Sequence, residues 1–159
     1  MKVRRFEPRF NQAVIDFILT IQQEEFGLDI SLADQSDLHD IQSSYQEQGD
    51  FWIVTDEREE NILGCIGLVS LSGDNVALKK MFVNPDCRQL GLGKKLVESF
   101  LSYCHYHDKK AIYLGTTSRF EAARKFYHKL GFKKIESKDL PKDFPLLVVD
   151  NSYYVYSLY

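Results

Sequence analysis

Residues 83–93 read VNPDCRQLGLG and lie between a β-rich run and a stretch with helical spacing. A helix start presents unpaired N–H groups and the positive end of the helix dipole, which together favour an anion. Gly91 and Gly93 remove side chains where a phosphate would have to approach the backbone. The stretch lacks the third glycine of GxGxxG and the first glycine of GxxxxGK[ST]. It predicts another kind of phosphate-binding turn, or a plain strand–helix turn with capping glycines.

A second stretch, residues 122–132, reads AARKFYHKLGF. Its apolar spacing and the glycine at its end predict an amphipathic helix. Ser118 stands three residues before Glu121, which is the spacing of a capping box, so we expect the helix to begin at Ser118. Tyr127 in this helix is either a phenolic proton donor or a half-buried core tyrosine.

Hydrophobic periodicity predicts the element order β α α β β β α β α β β. The predicted strands are Lys2–Glu7, Phe51–Thr55, Ile62–Leu71, Val76–Val83, Ala111–Gly115, Phe132–Glu136 and Tyr153–Leu158. The predicted helices are Phe10–Ile21 with a stop at Gly27, a shorter helix over Leu38–Tyr45, Leu92–His107 and Ser118–Leu130. Strands that flank helices in this way indicate an α/β fold, with a mixed sheet and helices on both faces.

Composition is that of one globular domain over residues 1–159, with 44% hydrophobic and 27% charged residues. A net charge of −3 disfavours a general nucleic-acid binder. The cysteines are three in number, lie far apart and form no CxxC, which indicates a reducing compartment and not a disulfide framework. The longest apolar run is about half of the ~20 residues that cross a bilayer, and no signal peptide is visible. We therefore expect a cytoplasmic protein without a membrane partner.

The two stretches together resemble two motifs of the GNAT superfamily of acyl-CoA-dependent N-acetyltransferases. Residues 83–93 resemble that family's pyrophosphate loop, and residues 126–132 resemble its last conserved block. The similarity is clear over residues 76–132, which would be the cofactor-binding core. It implies a single domain with a mostly antiparallel sheet. It also implies metal-free transfer of an acetyl group from acetyl-CoA to a primary amine of a small molecule or peptide, by direct attack.

The resemblance also implies residue roles. The backbone of residues 81–83 would hold the pantetheine arm and the acetyl carbonyl, because in this family that strand splays from its neighbour. The N–H groups of residues 89–94, with Arg88, would bind the pyrophosphate, and Tyr127 would protonate the departing thiolate. The implied cofactor-binding residues are Met81, Phe82, Val83, Arg88, Gln89, Leu90, Gly91, Leu92, Gly93, Lys94, Ala123 and Phe126.

Three positions depart from the family pattern. Gln89 stands where a glycine is common, and Phe120 stands where an asparagine is common. Ala77 stands where many members carry a glutamate base, and the strand Val76–Val83 contains no carboxylate. These residues therefore predict cofactor binding but name no general base.

Charge is unevenly distributed along the chain. Residues 21–50 contain eight acidic residues and no Lys or Arg, and the resemblance places the helices of residues 9–50 over the acceptor site. This block predicts attraction for a cationic amine, or it is an ordinary solvated face. A basic patch beside the loop would suit a cofactor with several phosphates. Its members are Lys79, Lys80, Arg88, Lys94 and Lys95.

Two alternatives to an enzyme stay open. A non-catalytic CoA- or acyl-CoA-binding regulatory module would keep the loop without efficient chemistry, as the missing strand carboxylate suggests. A structural domain bound to RNA or protein would have no affinity for CoA. The sequence names neither the acceptor nor the oligomeric state, so a homodimer stays open as well.

Overall fold

The computed structural model describes residues 1–159 and contains one sheet of seven strands. The strands are β1 (Val3–Arg5), β2 (Asp50–Thr55), β3 (Ile62–Ser70), β4 (Asn75–Val83), β5 (Ala111–Thr116), β6 (Lys133–Ile135) and β7 (Ser152–Ser157). The α-helices are α1 (Asn11–Leu19), α2 (Leu92–Tyr106) and α3 (Glu121–Leu130). All seven strands predicted from the sequence are confirmed, with ends that shift by a few residues. None of the helices is both long and apolar enough to cross a bilayer.

The sheet has the order β1-β2-β3-β4-β5-β7-β6, and all neighbouring strands except one pair are antiparallel. The exception is β4 and β5, which run parallel and pair only between Asn75–Ala77 and Ala111–Tyr113. Because β4 continues to Val83 without β5 beside it, the sheet opens into a cleft there. The mixed, mostly antiparallel α/β sheet predicted from the sequence is confirmed.

Alternation along β2 distributes the core over both faces of the sheet. Phe51 and Ile53 pack with α1, whereas Trp52 and Val54 pack with α2 and Tyr127 of α3. Side chains of successive strand residues point to opposite faces of the sheet. Because β2 is buried on both faces, its residues 51–54 are all apolar. Helices therefore cover both faces, as predicted.

The shorter predicted helix over residues 38–45 is wrong as a regular helix. The chain instead forms separate helical turns at Ser36–Leu38 and Gln42–Gln46. Asn11 explains the interruption: its Nδ2 donates to Leu38 O at 2.9 Å, and its Oδ1 accepts from the N–H of Ile41 at 2.9 Å. Backbone groups bonded to α1 in this way are not free for a continuous helical ladder.

The start of α3 is a second correction. The helix begins at Glu121, and Ser118 makes no capping bond to it. The N–H of Ser118 instead donates to Asn151 Oδ1 at 2.9 Å, which ties the turn before α3 to the segment before β7. The predicted end at Gly131 is confirmed, because Gly131 adopts a positive φ of 104° that favours glycine.

Candidate active site

The glycine turn joins β4 to α2 in a compact form. Asn84 Oδ1 accepts from the N–H of Asp86 at 2.9 Å, so the chain turns sharply at Pro85–Cys87. Gly91 then adopts a left-handed conformation with a φ of 75°, immediately before the first residue of α2. Leu92 is 1% exposed and anchors that first turn in the core. The unpaired N–H groups of the first turn of α2 therefore belong to a helix end that is anchored in the core.

The open edge of β4 begins at a bulge. The β3–β4 register shifts between the pairs Cys65–Phe82 and Gly67–Lys79, and Lys80 has a φ of 54°. Beyond the bulge, the N–H of Asn84 donates to Leu63 O on β3 at 2.8 Å. N–H groups alternate between the two edges of a strand. Those of Met81 and Val83 therefore point to the edge that β5 has left.

A cavity of about 310 Å³ occupies this cleft. Its lining includes ten of the thirteen residues that the sequence analysis singled out. They are Met81, Phe82, Val83, Arg88, Gly91, Gly93, Lys94, Ala123, Phe126 and Tyr127. The other three are elsewhere: Gln89 and Leu90 are exposed, and Leu92 points into the core. The side chains of these three residues do not line the cavity.

Tyr127 is 5% exposed and lines the cavity. Its Oη lies 3.5 Å from Met81 Sδ, and its ring packs edge-on against Phe126 and Phe132. Burial raises the pKa of Tyr127, and the charge of Asp150 raises it further. The phenol is therefore protonated at neutral pH and can act as a donor. Tyr127 is thus a core residue that also lines the cavity.

Arg88 is engaged by a side chain that the sequence analysis did not connect with it. Its guanidinium binds both carboxylate oxygens of Glu25, and Nη2 lies 2.8 Å from Oε1. The guanidinium also lies 5.7 Å from the centre of the Phe26 ring. Arg119 Nη1 donates to the carbonyls of Phe26 and Gly27. The end of the first helical region is thereby held beside the glycine turn.

An aromatic wall closes the other side of the cavity. Phe120 packs edge-on against Phe26 at 4.6 Å and against Phe82 at 6.0 Å between ring centres. Phe26 and Phe120 line the cavity together with Ile21 and Ala122. The sequence analysis assigned no cavity-lining role to these four residues. No local motif marks them, because Phe26 and Phe120 meet only through the tertiary fold.

A buried polar cluster lies beside the bulge in β4. Lys80 Nζ donates to Gln35 Oε1 at 2.6 Å and lies 3.7 Å from Asp37 Oδ2. Gln35 Nε2 donates to Gln22 Oε1 at 2.7 Å, and the hydroxyl of Tyr45 donates to Asp37. The side chain of Lys80 is only 2% exposed, and burial lowers its pKa to about 8. The predicted basic patch is therefore wrong for this lysine, whereas Lys94 and Lys95 are exposed.

The acidic block of residues 21–50 is likewise divided by the fold. Asp34 Oδ2 accepts from the N–H of Ser31 at 2.9 Å, and Asp40 Oδ1 accepts from the N–H of Ser43 at 3.1 Å. Asp37 faces Lys80. These carboxylates have different surroundings and do not form one continuous patch, so their attraction for a cationic amine stays a prediction.

The sheet thus opens beside a glycine turn and encloses a cavity at that end of β4. Residues 15–132 match the sequence profile of the Acetyltransferase (GNAT) family. The chain belongs to that family, and it is an acetyl-CoA-dependent acyltransferase. The resemblance seen in the two motifs is confirmed.

Similar proteins agree with this assignment. The chain is 31% identical over 116 residues to the peptidyl-lysine N-acetyltransferase YjaB of Escherichia coli, and the alignment covers 71% of each protein. It is 32% identical over 114 residues to "Probable N-acetyltransferase camello" of Xenopus laevis; that alignment covers 69% of this chain and 51% of the Xenopus protein. A GNAT-family acetyltransferase from Staphylococcus aureus Mu50 superimposes with a TM-score of 0.97 at 39% identity, over 99% of both chains.

Proposed function

We propose that this acetyltransferase transfers the acetyl group of acetyl-CoA to a primary amine of a small molecule or peptide by direct attack of the amine. One observation carries the proposal: the hydroxyl of Tyr127 contacts the side chain of Met81 on the open part of β4, and both residues line the cavity that the glycine turn also lines. A proton donor, an oxyanion-binding edge and a phosphate-binding turn thus share one space. The peptidyl-lysine acceptor in the name of the YjaB relative supports an amine as the acceptor.

Gly93 leaves the cleft open for a ligand. A Cβ on Gly93 would lie 3.4 Å from Met81 Cε and 3.6 Å from Phe126 Cζ, so a side chain there would occupy the cleft. The N–H groups at the start of α2, with Arg88 and Lys94 beside them, would hold the pyrophosphate. The apolar stretch formed by Ala123 and Phe126 would pack along the pantetheine arm.

The thioester of acetyl-CoA supplies an activated acyl group and a thiol leaving group. The open-edge N–H of Met81 would donate to the carbonyl oxygen where negative charge develops during attack. A donor of this kind is worth ~2.7–4 kcal/mol of transition-state stabilisation. Tyr127 would give its proton to the departing sulfur, because a phenol protonated at neutral pH can protonate a thiolate.

A thiol-release assay over a panel of amines tests the function. Purified protein is mixed with acetyl-CoA and one amine at a time: polyamines, amino acids, aminoglycosides and lysine-containing peptides. We expect CoA thiol to appear only when an accepted amine is present, with a product heavier by one acetyl group. Tight binding of acetyl-CoA without amine-dependent release would contradict the proposal and favour the regulatory module.

The three cysteines are free, and we propose a reducing, cytoplasmic setting on that ground.

A further inference from the structure

The strand β4 carries no carboxylate, but the structure brings one to the cleft from the far end of the chain. Asp150 lies in the segment before β7, and its carboxylate stands over the end of β5. A Cβ on Gly115 would lie 2.8 Å from Asp150 Oδ2, so the absence of a side chain at Gly115 leaves room for the carboxylate. Gly115 belongs to the part of β5 that has diverged from β4.

The backbone on both sides of Asp150 is fixed. The N–H of Asp150 donates to Leu147 O at 3.0 Å, and its carbonyl accepts from the hydroxyl of Tyr153 at 3.3 Å. The N–H of Asn151 donates to Thr116 O at 2.9 Å, immediately beyond Gly115. These bonds fix the backbone at Asp150, although it belongs to a segment without regular secondary structure.

The Asp150 carboxylate itself has no hydrogen-bond or ion-pair partner in the protein, and its oxygens are not sealed from solvent. A half-buried carboxylate without a partner is costly unless something else binds it. The ionisable groups that face it are Lys79 and Lys80 on β4, Tyr127 on α3 and Tyr153 on β7. Lys80 is bonded to Gln35, and Lys79 Nζ donates to Pro145 O at 3.2 Å.

We propose that Asp150 is the carboxylate that binds the ammonium group of the acceptor and takes its proton. The role rests on the proposed function. Asp150 does not line the cavity assigned to acetyl-CoA, so it is free for the second substrate. Asp150 stands over Gly115, on the part of β5 that has diverged from β4 and borders the cleft.

The proton balance is closed with these two residues. An N–H bond of the ammonium breaks, and its proton passes to Asp150, which leaves a neutral amine. The amine nitrogen forms the C–N bond to the acetyl carbon and the C–S bond breaks. A second N–H proton is lost as the amide forms, and Tyr127 relays a proton to the sulfur. Asp150 then releases its proton to water, so each turnover yields amide, CoA thiol and one proton.

Burial suits Asp150 to this task. The pKa of Asp150 is raised by desolvation, although Lys79 and Lys80 lower it in part. A carboxylate with a raised pKa is a stronger base than one on the surface.

The variant Asp150→Asn tests the role, with Asp108→Asn as its matched control. Asp108 is exposed in the turn after α2, at a positive φ that asparagine tolerates. For an amine accepted by the wild type, we expect D150N to lower kcat/KM on the order of 100-fold at neutral pH. The deficit should shrink towards about pH 10, where the amine is neutral without help. Acetyl-CoA affinity and thermal stability should match those of D108N and the wild type.

Asp150→Glu provides a second measurement if D150N fails to fold. The longer carboxylate should restore part of kcat/KM at neutral pH. A D150N variant within twofold of the wild type would overturn the role, and so would a deficit that is the same at every pH. A rise in KM alone, with kcat and the pH profile unchanged, would overturn the proton transfer. If the wild type itself releases no CoA with any amine, the proposed function fails first, and this role fails with it.

Discussion

The two sides of the cleft are built in different ways. The side that we propose binds acetyl-CoA, residues 81–94 with residues 120–127, is called the cofactor side; it uses backbone N–H groups and apolar side chains from two short stretches of the chain. The side that we propose faces the amine, called the acceptor side, uses polar side chains that are distant in sequence: Gln35 is 13 residues from Gln22 and 45 residues from Lys80. Asp150 comes from a further segment near the end of the chain. The backbone groups of the cleft thus come from short stretches of sequence, whereas its polar side chains come from residues that only the fold brings together.

The largest effect should come from the backbone of the cofactor side. Gly91→Val places a β-branched residue at a φ of 75°, which costs on the order of 1–3 kcal/mol and deforms the turn. A Cβ at this position would touch nothing within 4 Å, so the loss would come from the turn itself. We expect acetyl-CoA binding to disappear in calorimetry.

Gly73→Val is the matched control for this variant. Gly73 has a φ of 69° in the turn before β4, at the opposite end of that strand from the cleft. The control should lose stability by a similar amount and keep its affinity for acetyl-CoA. Retained affinity in G91V would contradict the assignment of the glycine turn.

Tyr127→Phe should have the next largest effect, on chemistry and not on binding. The Tyr127 hydroxyl contacts only Met81 Sδ, so its removal should leave acetyl-CoA affinity nearly intact. Loss of the proton donor should lower kcat on the order of 100-fold. Tyr106→Phe is the control, since Tyr106 is 84% exposed on α2. If kcat of Y127F equals that of the wild type at every pH, Tyr127 is a packing residue only.

Lys80→Met probes the acceptor side through the pH dependence of stability. The pKa of Lys80 is lowered by burial to about 8, against 10.5 in the unfolded chain. Between these values the unfolded chain binds more protons, so this lysine makes stability rise with pH. The free energy of unfolding of the wild type relative to K80M should rise by about 2 kcal/mol from pH 8 to pH 10.

The comparison of wild type with K80M separates the contribution of Lys80 to the pH dependence of stability from those of other ionisable groups. The Cys104 thiol, whose pKa burial raises to about 12, makes stability fall over the same range, but it is present in both proteins. Lys95→Met, at an exposed position on α2, should show no such difference from the wild type. If the difference in the free energy of unfolding between wild type and K80M did not change with pH, burial would not lower the pKa of Lys80.

The smallest effect concerns the contact between the two sides. Glu25→Gln removes the charge that holds Arg88, and an exposed ion pair of this kind is worth roughly 0.2–1 kcal/mol. We expect acetyl-CoA to bind up to about fivefold more tightly, because the guanidinium is released for the pyrophosphate. Glu24→Gln, at an exposed and unpaired neighbour, should change nothing. Weaker binding by E25Q would show that the pair supports the site.

Much of the cofactor side was predictable, and the physical reason is its short range. Pro85, Gly91 and Gly131 specify turns through their own backbone preferences, so their effect can be inferred without knowledge of the rest of the fold. The two errors in the helices have the opposite cause. Asn11 interrupts the segment around Leu38–Tyr45, and Asn151 takes the N–H of Ser118, each from a distant part of the chain.

By itself the sequence determined the order of the strands along the chain, the cleft-side glycine turn and the family. The strand order and the turn follow from alternation, helical spacing and backbone preferences that act over a few residues, whereas the family follows from the resemblance of two motifs. Only the tertiary structure decided which charges are buried: it placed Lys80 among Gln35 and Asp37, paired Glu25 with Arg88, and brought Asp150 over Gly115. The electrostatic surroundings of a charge depend on its distance from other groups in space and on the exclusion of water. Neither quantity can be inferred from the residues that are adjacent in sequence.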